Sequence, residues 1–146
     1  MKITKLNNFL SELDKTYNIN NGGCCYIAYV LANLLEQHNI PYSFVIEDEC
    51  EYISGDLVAE CIENRSCEEC CYGLFDETCV HYMISVNNKL LNEMEETKIS
   101  NCHFFDGVDS SDILWIYETG SWNPAFDKSY KDEIFEKLSK FFDENF

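Results

Sequence analysis

Residues 20–45 read NNGGCCYIAYVLANLLEQHNIPYSFV, and this stretch decides the fold. Ile27, Val30, Leu31, Leu34 and Leu35 recur at the spacing of one helical face, which predicts an amphipathic helix from Cys24 to about His38. Gly22 and Gly23 allow a sharp turn into that helix. Pro41 forbids its continuation and starts an extended run, Tyr42 to Ile46. Cys24 and Cys25 therefore fall in the first turn. There, unpaired backbone N–H groups and the helix dipole favour negative charge. A thiol so placed is expected to ionise more readily than a free cysteine, and the thiolate is the nucleophile. The plainer reading is that both are small core hydrophobes, as free cysteines usually are.

Outward from this stretch the pattern is mixed. Residues 3–16 predict a helix with Ile3, Leu6, Phe9, Leu10 and Leu13 on one face. Asn18 to Gly23 is a turn by composition. Residues 47–76 are acidic, hold Cys50, Cys61, Cys67, Cys70 and Cys71, and allow a short helix near 56–63. VHYMISV (80–86) predicts a strand, Asn87-Asn88 a tight turn, and KLLNEM (89–94) the return strand. DILWIYE (112–118) predicts a third strand from its branched and aromatic residues. Trp122 and Pro124 fall in a loop, and residues 128–142 predict a closing amphipathic helix. Helices, then a mostly antiparallel sheet, then a helix define an α+β class over 1–146 as one domain.

Charge narrows the partners. Of 146 residues, 27 are acidic and 10 basic, a formal net charge of −17. That balance opposes binding to nucleic acid or to an anionic membrane and favours a cationic protein or peptide substrate. The opening MKITKLNNFLSELDKTY lacks the apolar core and cleavage site of a secretory leader. With nine cysteines, the expectation is a cytoplasmic protein carrying thiols rather than disulfides.

A cysteine nucleophile needs a base, and a third group to orient that base. Three histidines are available. His38 ends the cysteine helix, about 20 Å from Cys24 at the helical rise, and suits a C-terminal charge partner. His103 lies in the loop-like segment 100–107 and receives no placement. His81 opens the VHYMISV strand. With a two-residue turn at 87–88, position 83 pairs with 92 and position 81 with 94. His81, Met83, Asn92 and Met94 then share a face, and Asn92 is a diagonal neighbour able to accept the imidazole N–H.

These residues resemble the active-site segment of the transglutaminase-like, papain-like-fold superfamily. The matching positions are Gly22, Cys24, Ala28, Leu34-Leu35, Asn39-Ile40-Pro41 and Val45, with Asn39 where the family usually has Gly. The family's histidine begins a strand, and its Asp or Asn follows about eleven residues later; His81 and Asn92 stand at that spacing. The resemblance implies a papain-like core, a central cysteine-bearing helix packed on an antiparallel sheet. It implies a catalytic Cys24, His81 and Asn92. Papain-like enzymes carry an amide side chain six residues before the cysteine, where Asn18 stands, and Asn18 or Asn20 is the expected oxyanion donor beside the Cys24 N–H.

Cys67 and Cys70 form a C-x-x-C, half of a structural zinc site, but a second well-spaced pair is missing. The expectation is no cofactor, with zinc at Cys67 and Cys70 as the exception to test. The function expected is a cysteine peptidase, amidase or acyltransferase. The rivals are an inert acidic interaction protein and a zinc-stabilised binding module.

Overall fold

The computed structural model describes residues 3–19, 23–48, 55–65, 80–91, 101–119 and 128–146. Among them are five α-helices: α1 (Ile3–Tyr17), α2 (Cys24–Gln37), α3 (Gly55–Asn64), α4 (Ser110–Thr119) and α5 (Lys131–Asn145), the last preceded by a 3-10 turn at Lys128–Tyr130. Strands β1 (Ser43–Asp48), β2 (Val80–Val86), β3 (Lys89–Leu91) and β4 (Cys102–Phe105) form one antiparallel sheet in the order β3-β2-β1-β4. The class is α+β.

The stretch at 24–37 is more buried than one amphipathic face requires. Cys24 through Ala28, Val30 through Ala32, Leu34 and Leu35 are all buried. A helix apolar nearly all round must be surrounded. Here α2 lies over β2, with α4 along one flank and α5 behind. One apolar cluster joins α1, α2, α4 and α5 to Phe44, Ile46, Tyr82, Ile84, Val86 and Phe105 of the sheet. Phe9 of α1 stacks on Phe141 of α5 with ring centroids 4.7 Å apart, closing the helical layer.

Gly23 precedes α2 at φ −100°, ψ −5°, so it uses none of a glycine's left-handed freedom. Left-handed residues do end the neighbouring elements: Asn18 (φ 55°) stops α1, and Asn39 (φ 56°) follows α2. Asparagine is among the few side chains that visit this region readily. His38 closes α2, its Nδ1 2.9 Å from the Leu34 carbonyl oxygen and its Nε2 3.7 Å from Asp143 Oδ1.

The β2–β3 turn follows its expected geometry. Asn87 (φ 52°) and Asn88 (φ 63°) are both left-handed, as a two-residue turn of the primed type needs. The pairs Val86–Lys89, Ser85–Leu90 and Ile84–Leu91 set the register. Residues 92–94 of the expected return strand lie outside the described residues.

Two expectations are corrected. Residues 112–118 are not a strand; they lie in helix α4. Asp109 Oδ1 accepts from the Asp112 N–H at 3.0 Å and from the Ser111 hydroxyl at 2.7 Å, while Asp112 Oδ2 accepts from the Asp109 N–H at 3.0 Å. This reciprocal capping box starts a helix, and Ile113, Ile116 and Tyr117 then bury one face at helical spacing. The cap overrides the β-propensity of Ile and Trp, a weaker and more context-dependent preference. The segment holding His103 is not a loop; Cys102–Phe105 pairs with β1 as an outer strand of the described sheet.

Candidate functional site

Cys24 is the first residue of α2 and is 5% exposed. The N-cap of α2 is Gly23, which makes no side-chain cap hydrogen bond. The adjacent Cys25 is fully buried, with its Sγ 3.9 Å from the Ile113 carbonyl oxygen of α4. Burial, and secondarily the neighbouring Cys24, pushes the Cys25 thiol well above its ordinary pKa. Cys25 is therefore a neutral core thiol.

The start of α2 is held from two sides. The Tyr26 hydroxyl donates to the Lys131 carbonyl at 3.0 Å. The Lys131 ammonium sits 5.0 Å from the Tyr26 ring centroid and 4.8 Å from that of Tyr117, tying α2, α4 and α5 through cation–π contacts. Burial first, then Tyr29, Asp132 and Tyr117, pushes the Tyr26 phenol up to about 12.

The far end of α2 fixes its direction. Glu36 accepts from the Ser110 N–H at 3.0 Å, from the Ser110 hydroxyl at 2.6 Å and from the Tyr42 hydroxyl at 2.8 Å. The end of α2, the start of α4 and the entry to β1 thus meet where Ser43 pairs with Ser85. Helix α2 packs on β2, and Glu47 pairs with His81 at the other end of the β1–β2 ladder from Ser43 and Ser85. The candidate pair is Cys24, the first residue of α2, and His81 of β2.

They do not share a face. Side chains alternate along a strand. Tyr82, Ile84 and Val86 join the core with α2. His81, Met83 and Ser85 alternate to the outer face. On β1, Phe44 and Ile46 belong to the helix side and Val45 and Glu47 to the outer side. On β4, Phe105 opposite Phe44 and His103 opposite Ile46 belong to the helix side, and Cys102 opposite Glu47 to the outer side. A Cys24–His81 contact must therefore be made around the end of the sheet and not across the α2–β2 interface. His103 is the imidazole on the helix side, a placement that the sequence reading did not supply.

The register also assembles a row that sequence reading missed. His81, Glu47 and Cys102 stand side by side on β2, β1 and β4, all on the outer face. Glu47 is 4% exposed. Burial and, after it, the Glu47 charge push the Cys102 thiol up to about 11. FVIED (44–48) runs three apolar residues and then two acids, so its pattern alone did not mark the face of Glu47, and the pairings of β1 were needed to name its partners.

Asn18 is exposed at the end of α1, its N–H donating to the Asp14 carbonyl at 2.8 Å. Asn92, Asn20, Cys67 and Cys70 lie outside the described residues. Among the described residues, no three His, Cys, Asp or Glu side chains gather to hold a metal ion, and no helix is long and apolar enough to cross a membrane. Comparison with family models, with curated proteins and with solved structures gives no match.

Proposed function

We propose that this chain is a cysteine-dependent acyl-transfer enzyme of transglutaminase-like, papain-like type, with Cys24 as nucleophile. The observation that supports the reading is that α2, a buried helix packed on β2, opens on Cys24, and that β2 carries His81 near its start. In the proposed reaction, His81 takes the Cys24 proton and the sulfur attacks an amide carbonyl. The resulting tetrahedral oxyanion is held by the Cys24 N–H, with Asn18 or Asn20 as second donor. His81 returns the proton to the leaving amine, giving an acyl-cysteine. Water, activated by the same imidazole, then releases the acid; an amine acceptor would instead complete a transfer. Asn92 orients the ring. The net charge of −17 favours a cationic peptide or protein as substrate.

An aryl ester such as p-nitrophenyl acetate tests this without knowledge of the natural substrate. The reading expects a stoichiometric burst of nitrophenolate and an acetyl group on Cys24 by mass spectrometry. Cys24→Ala should remove the burst, and Cys61→Ala should leave it. Acetylation spread evenly over the thiols overturns the reading.

One observation favours a second reading. Cys24 is 5% exposed, and His81 alternates to the other face of the sheet. An inert scaffold serving as an acidic interaction domain would have that geometry. It predicts salt-sensitive binding to a basic protein that Cys24→Ala leaves unchanged.

A further inference from the structure

Glu47 occupies the middle of the outer-face row. Directly across from it stand His81 on β2 and Cys102 on β4. Side chains directly opposite on adjacent antiparallel strands have Cβ atoms about 5 Å apart, so a carboxylate there reaches either flank within its own rotamers. At 4% exposure Glu47 is largely shielded from water, which strengthens its interaction with whatever charge lies beside it. We propose that Glu47 is the positioning residue for His81, its carboxylate holding the imidazolium charge and orienting the ring.

The assignment changes the site's chemistry. The sequence pattern supplies a neutral amide, Asn92, as the orienting group. A carboxylate beside the ring, unlike an amide, favours the protonated imidazole. Among the described residues, the groups facing His81 from the packed strands are Glu47 on β1 and, one strand further, Cys102 on β4; Met83, next on the same face of β2, carries no charge, and the residues that continue β3 past Leu91 lie outside the described residues. Cys102 already registers the Glu47 field, which adds to burial in raising its thiol. The row does not converge as a metal site would.

The same charge thus acts on both flanks, and removing it has a signed consequence on each. Without the Glu47 carboxylate the imidazolium loses its counter-charge, and the His81 midpoint falls. The Cys102 thiolate loses a repulsive neighbour, and its midpoint falls too. A merely structural role for Glu47 would not move both in this way.

The test is the ring C2–H titration of His81 by NMR in the full chain, with His103 on the other face as internal control. In the unaltered protein the His81 midpoint should lie above the free value of about 6.5. In Glu47→Gln it should fall by about one unit, with recovery in Glu47→Asp. Alkylation of Cys102 at a fixed alkaline pH should rise in the same Glu47→Gln variant. A His81 midpoint below the free value, or one unmoved in Glu47→Gln, overturns the proposal; the first reading needs no variant to fold. The catalytic use of this pair rests on the acyl-transfer reading, but the titration does not. Loss of the ester burst in Glu47→Gln with an unmoved His81 midpoint sinks the positioning role alone. A shifted midpoint with no burst in any form of the protein sinks the enzyme alone.

Discussion

The two faces of the sheet carry different chemistry. Toward the helices stand Phe44, Ile46, Tyr82, Ile84, Val86 and Phe105, with Phe44 and Tyr82 stacked nearly parallel, ring centroids 5.8 Å apart. Away from them stand Glu47, His81, Ser85, Cys102 and the 47%-exposed Phe104, interleaved with the buried Val45 and Met83. The helix-side face supplies burial free energy, roughly 25 cal/mol per Å² of apolar surface. The outer face carries Glu47, His81 and Cys102 beside the buried Val45 and Met83, while His103 stands on the helix side. Cys24 packs with the first side, and His81 stands on the second.

Substitutions that separate the faces should differ most in stability. Ile84→Ala, at a fully buried helix-side position, should cost about 2–5 kcal/mol in urea unfolding. Phe104→Ala, on β4 of the outer side, should cost about 0.5 kcal/mol or less. Equal losses would mean that Phe104 is not the exposed position that its 47% exposure indicates.

A smaller effect attends the cap that makes α4 a helix and so keeps it against α2. Asp109→Ala should cost about 1 kcal/mol, the usual loss at an N-cap. The Ser111 hydroxyl and the Asp112 N–H hold the Asp109 carboxyl below its ordinary pKa. A group depressed in the folded state contributes stability above its unfolded pKa and loses it as pH falls through the folded one. The gap between the original protein and Asp109→Ala should therefore be full near neutrality and shrink below about pH 4. A gap independent of pH in acid unfolding would remove the carboxylate from the cap.

The turn that sets the outer-face register gives an effect of similar or lesser size. Asn88→Ala must still adopt a left-handed backbone, at about 1 kcal/mol. Asn88→Gly should be neutral or slightly stabilising. A large loss with glycine would show that the Asn88 side chain, and not its backbone, holds the turn.

Much of the helix-side face was legible in sequence, and much of the outer face was not. Local signals carried α2, the Asn87-Asn88 turn and β2, because each depends on a short period or a left-handed residue. Helix α4 was missed because Asp109 and Asp112, two acids in an acidic chain, form a capping box only when seen bonded to each other. Strand β4 was missed because four residues carry too short a period, and its pairing with β1 is a long-range event. The Glu47 row depends on both pairings of β1 and so could not be seen from any single segment. Among the candidate site residues, the positions of Cys24 and His81 along their elements were readable. The face of His81 relative to α2 was fixed only once Tyr82, Ile84 and Val86 were seen in the core.

The most direct test is the rate at which iodoacetamide alkylates Cys24 at about pH 6, resolved cysteine by cysteine in the folded protein and compared with His81→Ala and His103→Ala. The acyl-transfer account predicts that Cys24 reacts first, and that the His81 variant slows it at least tenfold while the His103 variant leaves it near the original rate. A Cys24 that reacts no faster than the fully buried Cys25, or one whose reactivity follows His103, contradicts it.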